Sequence, residues 1–68
     1  MDFSQALILL KQGKKLQRVS WPGNDMGYWY IYLLDTANGI VCVMQKVTTS
    51  ESYILSLQDI LAENWSLA

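Results

Sequence analysis

Tyr28-Trp29-Tyr30-Ile31-Tyr32-Leu33-Leu34, then Asp35-Thr36-Ala37-Asn38-Gly39, then Ile40-Val41-Cys42-Val43-Met44 is the stretch whose reading decides the fold. Aromatic and β-branched residues favour the pleated surface, so its first and last parts read as strands. Asn38-Gly39 between them is a hairpin signal, which makes the two strands antiparallel neighbours. In the first strand Trp29, Ile31 and Leu33 point one way and Tyr28, Tyr30 and Tyr32 the other. Both faces are apolar, and one short helix covers only one of them. The second face is therefore expected to meet another subunit.

Toward the N-terminus, Leu16, Arg18 and Ser20 alternate with Gln17, Val19 and Trp21, a weaker strand pattern. Pro22-Gly23-Asn24-Asp25 ends it with turn chemistry, so a loop is expected to open directly after Trp21. Before it, Phe3, Ala6, Leu7 and Leu10 recur at helical spacing and predict an amphipathic helix over Phe3 to Lys11, with Asp2 or Ser4 as N-cap. Gly13 stands where a left-handed residue closes a helix, and Lys11, Lys14 and Lys15 complement the negative end of its dipole.

Toward the C-terminus, Gln45 to Ser52 is polar, Thr48 to Glu51 reads as a loop, and Ser52-Tyr53-Ile54-Leu55 reads as a short strand. Ser56 is an N-cap signal with Asp59 at the third helical position, and Ile60 and Leu61 are expected to form the buried side of a short helix. Asn64-Trp65-Ser66-Leu67 reads as an edge strand. The fold class is thus α+β: a small antiparallel sheet with an N-terminal helix and a short C-terminal helix, in a single domain over residues 1–68.

Composition narrows the chemistry. Hydrophobic residues make up 51% of the chain and charged ones 16%, where about 25% charged is usual. A chain this short buries only about 60% of its unfolded surface, so something besides its own core is expected to contribute. Cys42 is the single cysteine and there is no histidine, which removes an internal disulfide and a zinc cluster. Self-association remains, and no metal or cofactor is expected. The longest apolar runs, Ala6 to Leu10 and Trp29 to Leu34, fall short of the ~20 residues of a membrane helix. Met-Asp-Phe-Ser has no basic n-region, so no membrane partner and a cytoplasmic location are expected.

The net charge is −1 and the pI near 4.9, against a nucleic-acid partner whose affinity comes from neutralised phosphates. Lys11, Lys14, Lys15 and Arg18 nevertheless bring four of the five cations within eight residues. That cluster either frames an anionic ligand or is a solvated helix end. Catalysis is not expected: there is no histidine base, no Gly-x-Ser-x-Gly elbow and no Walker phosphate loop, and Cys42 lies in an apolar strand pattern where a thiol is inert.

Three motifs occur in order: Phe-x-x-Ala-Leu-x-x-Leu-Lys-x-Gly-Lys-Lys from Phe3 to Lys15, Arg-x-x-Trp followed by Gly and Met from Arg18 to Met26, and Ser-x-x-Asp-Ile-Leu-Ala-Glu-x-Trp from Ser56 to Trp65. Together they resemble the small phage and prophage proteins that include the second type of Thoeris anti-defence protein, a sponge for immune signals. The resemblance implies a tetramer, a dimer of dimers, in the cytoplasm of an infected bacterial host. It also implies a small anionic nucleotide-type ligand: cyclic ADP-ribose-type signals made by TIR-domain enzymes and, in some members, cyclic dinucleotides, bound without breakdown. The family commonly has Gly-Trp-Asn-Gly-Lys-Gly-Met where this chain has Ser20-Trp21-Pro22-Gly23-Asn24-Asp25-Met26, so a basic loop residue is missing. The connection between the central strands is also shorter here, and Tyr53 stands where a Trp is often found.

Eight residues are candidates for the ligand. Trp21 at the mouth of the Pro-Gly loop either stacks on a purine, an interaction worth about 1–3 kcal/mol per base, or packs in the core. Gly23 turns the chain and also lets backbone approach a ligand, with amides around Gly23 and Asn24 able to form an anion nest. Ser56 and Asp59 reach ribose hydroxyls or an adenine amino group, and amides there suit a phosphate, yet capping alone explains both. Tyr53 supplies a second aromatic wall, whereas Trp29 and Trp65 read as packing residues. Arg18 pairs either with a phosphate or with an acid, and Met26 is either filler or contact. A different reading of the chain is a protein-interaction module that uses the Tyr28/Tyr30/Tyr32 face on a partner and ignores small ligands.

Overall fold

The computed structural model describes residues 1–21, 29–46 and 48–68. Their elements run α1 (Phe3–Lys11), β1 (Leu16–Arg18), β2 (Tyr30–Thr36), β3 (Gly39–Gln45), β4 (Ser50–Ser52), α2 (Leu57–Leu61) and β5 (Trp65–Leu67). Among the described residues the five strands form one sheet in the order β4-β3-β2-β1-β5, with each neighbouring pair antiparallel. The expected α+β class is what the protein has.

α1 starts where its first donors find partners. The Asp2 carboxylate accepts from the Gln5 amide at 3.0 Å and the Gln5 side chain accepts from the Asp2 amide at 3.3 Å, a reciprocal capping box. It ends in a Schellman motif, for Gly13 donates to the Leu10 carbonyl and Lys14 to the Leu9 carbonyl. Gly13 takes φ +87°, a left-handed conformation that side chains resist.

The β2–β3 hairpin pairs Tyr30 with Gln45 through to Thr36 with Gly39. The two loop residues are therefore Ala37 and Asn38, not Asn38 and Gly39. Both keep negative φ, and the positive φ, +116°, falls on Gly39 just past the loop. Thr36 Oγ1 accepts from the Asn38 amide and donates to the Gly39 carbonyl at 2.7 Å, which steadies the turn.

Register explains the core. Leu16 faces Ile31 and Ile31 faces Met44, so three apolar side chains line up across β1, β2 and β3 on one face of the sheet. Ala6 and Leu10 of α1 and Trp65 of β5 close over them. Each fully buried Leu or Ile contributes about 1.5–3 kcal/mol relative to exposure. Tyr30 and Tyr32 lie on the opposite face, half-buried, with rings 6.2 Å apart and Lys15 Nζ 5.1 Å from the Tyr30 ring. Tyr28 lies outside the described residues.

Three expectations are corrected. The chain begins to turn at Val19, two residues before Trp21, with the Trp21 amide bonded back to the Arg18 carbonyl at 2.9 Å. The fourth strand is Ser50–Ser52 rather than Ser52 to Leu55. The Lys46 amide donates to the Thr49 carbonyl at 2.7 Å and pairing with β3 begins at Ser50, while the side chains of Tyr53 and Leu55 pack on the core. In α2 the buried residue is Asp59, at 3% exposure, while Ile60 and Leu61 are 44% and 70% exposed. The short helix turns its acid inward because that acid, unlike an exposed one, has partners waiting there.

Candidate functional site

The partners come from four places in the chain. β5 lies against β1 with Arg18 opposite Trp65, which brings the C-terminal segment beside the start of the turn that carries Trp21. The capping box of α2 holds Asp59 at this corner: Ser56 Oγ accepts from the Asp59 amide and Asp59 Oδ2 accepts from the Ser56 amide, both at 3.1 Å. Tyr53 arrives from the segment after β4, its amide donating to the Cys42 carbonyl at 2.9 Å.

The Asp59 carboxylate is fully engaged. Arg18 Nη1 donates to Oδ1 at 2.9 Å, and the Tyr53 hydroxyl donates to Oδ2 at 2.5 Å. Arg18 Nε also donates to Asn64 Oδ1 at 3.0 Å, so two edges of the guanidinium are held. The Asp59 main-chain carbonyl accepts from the Trp65 indole at 2.9 Å. No buried side-chain polar atom is left without a partner among the described residues.

Electrostatics follow from this geometry. Burial alone would raise the Asp59 carboxyl, but the bonds from Tyr53, the Ser56 amide and Arg18 outweigh it and hold the group below its ordinary value. Burial, followed by the bond to the Asp59 carboxylate, pushes the Tyr53 hydroxyl up to about 12. Burial and the nearby Asp59 charge raise the Cys42 thiol as well, as an unreactive strand cysteine requires. A carboxylate held ionised with both oxygens occupied is a poor general base.

Aromatic rings stand against this polar core. Trp21 is half-buried, its ring edge-on to Tyr53 at 5.9 Å and to Trp65 at 5.4 Å, and Phe3 lies 5.7 Å from Trp65 on the far side. Trp29 packs on the core under Lys46, whose Nζ is 4.7 Å from its ring. Five of the eight sequence candidates, Arg18, Trp21, Tyr53, Ser56 and Asp59, thus meet at one corner. The remaining three, Gly23, Asn24 and Met26, lie outside the described residues, in the segment that follows Trp21. Of the two readings for Arg18 the structure has the acid pair. Lys11, Lys14 and Lys15 remain exposed while Arg18 alone turns inward.

Asn64 and Trp65 were not foreseen as parts of this corner. The only signal for them was the pairing of β5 with β1, which sets both beside Arg18. Among the described residues no group of three or more His, Cys, Asp or Glu stands together in a metal-holding arrangement, and no helix is long and apolar enough to cross a membrane.

The fold and this corner define a class: a small α+β protein in which a buried aspartate, paired with a partly buried arginine and tyrosine, stands against an aromatic wall. Over residues 1–68 the chain matches the family described as the Thoeris anti-defense 2-like domain. The protein belongs to that family, and a Thoeris anti-defense role goes with the membership. No curated protein matches the chain.

Proposed function

We propose that this protein binds and sequesters cyclic nucleotide-type immune signals, cyclic ADP-ribose isomers and cyclic di- or trinucleotides, without cleaving them. The observation that carries the reading is the meeting of Trp21 and Tyr53 over the Arg18–Asp59 pair, at the point where the chain enters the segment Pro22 to Tyr28. A half-buried indole braced on two sides offers a purine a rigid stacking partner at low entropic cost. Family membership over the whole chain supports the same reading. Binding without cleavage is part of this proposal, and the engagement of the Asp59 carboxylate and the Tyr53 hydroxyl by each other and by Arg18 supports it.

The protein works as a homo-oligomer in this proposal, a dimer of dimers. Ile54, Leu57 and Leu61 are 90%, 70% and 70% exposed, and a second copy seated on them would take that apolar surface out of water. The same exposed residues favour the alternative, a protein-interaction module, in which a foreign protein rather than a second copy covers them.

A thermal-shift screen against cyclic ADP-ribose isomers and cyclic di- and trinucleotides, with mass spectrometry of what the denatured protein releases, tests the proposal. A stabilising ligand recovered intact supports sequestration. A ligand recovered cleaved makes the protein an enzyme, and the absence of any shift favours the interaction module.

A further inference from the structure

We infer that Asp59 is a positioning residue for Trp21: it touches no ligand itself and sets the indole through the two rings on which the indole rests. Among the described residues Trp21 has two aromatic neighbours, Tyr53 and Trp65. Both are hydrogen-bonded to the same residue, Tyr53 through its hydroxyl to Asp59 Oδ2 at 2.5 Å and Trp65 through its indole to the Asp59 carbonyl at 2.9 Å. The third tether runs through the main chain. Arg18 is held by Asp59 Oδ1, and the Arg18 carbonyl accepts the Trp21 amide at 2.9 Å, which closes the turn that presents the indole.

One residue therefore holds both walls and the backbone of the Trp21 site, its buried carboxylate acting on Tyr53 and Arg18 and its main-chain carbonyl on Trp65. At 3% exposure, with both carboxylate oxygens engaged, it has nothing left to offer a ligand directly. Its influence on binding is indirect, and it rests on the ligand reading proposed above, whereas its hold on the indole does not.

The test is near-ultraviolet circular dichroism of the unliganded protein. Trp21 and Trp65, 5.4 Å apart with ring planes at 81°, are close enough for their transitions to couple, and Trp21→Phe identifies the part of the spectrum that depends on Trp21. Asp59→Asn removes the charge that holds Arg18 and Tyr53 but keeps the main-chain carbonyl under Trp65, and is expected to diminish that part while the far-ultraviolet spectrum persists. Should Asp59→Asn fail to fold, Tyr53→Phe decides, because it removes one hydroxyl and leaves the capping box and the Arg18 pair in place; it is expected to diminish the same signal. A Trp21-dependent signal that survives unchanged in the folded variants overturns the inference. Calorimetry with the cyclic ADP-ribose isomers and cyclic di- and trinucleotides separates the two ideas: wild-type protein that shows the coupled signal and binds none of them sinks the ligand reading alone.

Discussion

Tyr53 donates its hydroxyl to Asp59 Oδ2 at 2.5 Å, six residues on in sequence, where Asp59 is also the third-position member of the capping box that opens α2. The bond makes the tyrosine a weaker acid and the aspartate a stronger one, so the pair has a sign that experiment can read at both ends of the pH scale.

At alkaline pH the tyrosine dominates. Its folded pKa is raised to about 12, above the ordinary tyrosine value near 10, so the stability it contributes is whole below about pH 10 and is lost as pH rises toward 12. Tyr53→Phe is expected to remove that part of the slope. Urea midpoints of the two proteins between pH 9 and pH 12, as a difference, isolate it; parallel curves would contradict the bond.

At acid pH the aspartate dominates. Its folded pKa is depressed below the ordinary aspartate value, so its contribution is present above that value and is lost as pH falls through the folded pKa. Asp59→Asn is expected to flatten the acid limb of the stability curve below about pH 4. An acid limb of unchanged steepness would show that other carboxylates set it.

Arg18→Met leaves the Asp59 carboxylate buried without its cation. Removing one member of a buried pair costs roughly 3–5 kcal/mol, and about the lower end is expected here because the arginine is partly exposed. The whole stability of a domain this size is only about 3–10 kcal/mol, so the variant should unfold at markedly lower urea. A midpoint close to wild type would mean that water replaces the guanidinium without loss.

Trp21→Ala is expected to abolish cyclic nucleotide binding while leaving the oligomer intact. Isothermal calorimetry reads the first part and light scattering the second; retained affinity refutes the stacking role.

Size exclusion with light scattering is expected to return a dimer or tetramer of the 7.8 kDa chain, and Leu57→Asp with Leu61→Asp to lower that mass. A monodisperse wild-type monomer would end the oligomer proposal.

Much of the fold was legible because its signals are local. The capping residue Asp2, the Gly13 stop and the Ser56–Asp59 box each act over three or four residues, within reach of a pattern read along the chain. The strand after the hairpin was read late, at Ser52 to Leu55 instead of Ser50–Ser52, because its register comes from pairing with β3, not from its own Ser-Glu-Ser composition. The candidate site was legible residue by residue, through Trp21, Tyr53, Ser56 and Asp59, but not as an arrangement.

The sequence by itself determined the amphipathic first helix, the aromatic hairpin and the caps, since hydrophobic periodicity and hydrogen-bonding side chains specify these within a few residues of themselves. Only the tertiary structure decided that Asp59 rather than Ile60 faces inward, that Arg18 is paired with an acid 41 positions away, and that Asn64 and Trp65 join that corner. The reason is physical: a carboxylate is buried only where cations and donors from distant strands compensate its lost water, and no local pattern records where those strands will lie.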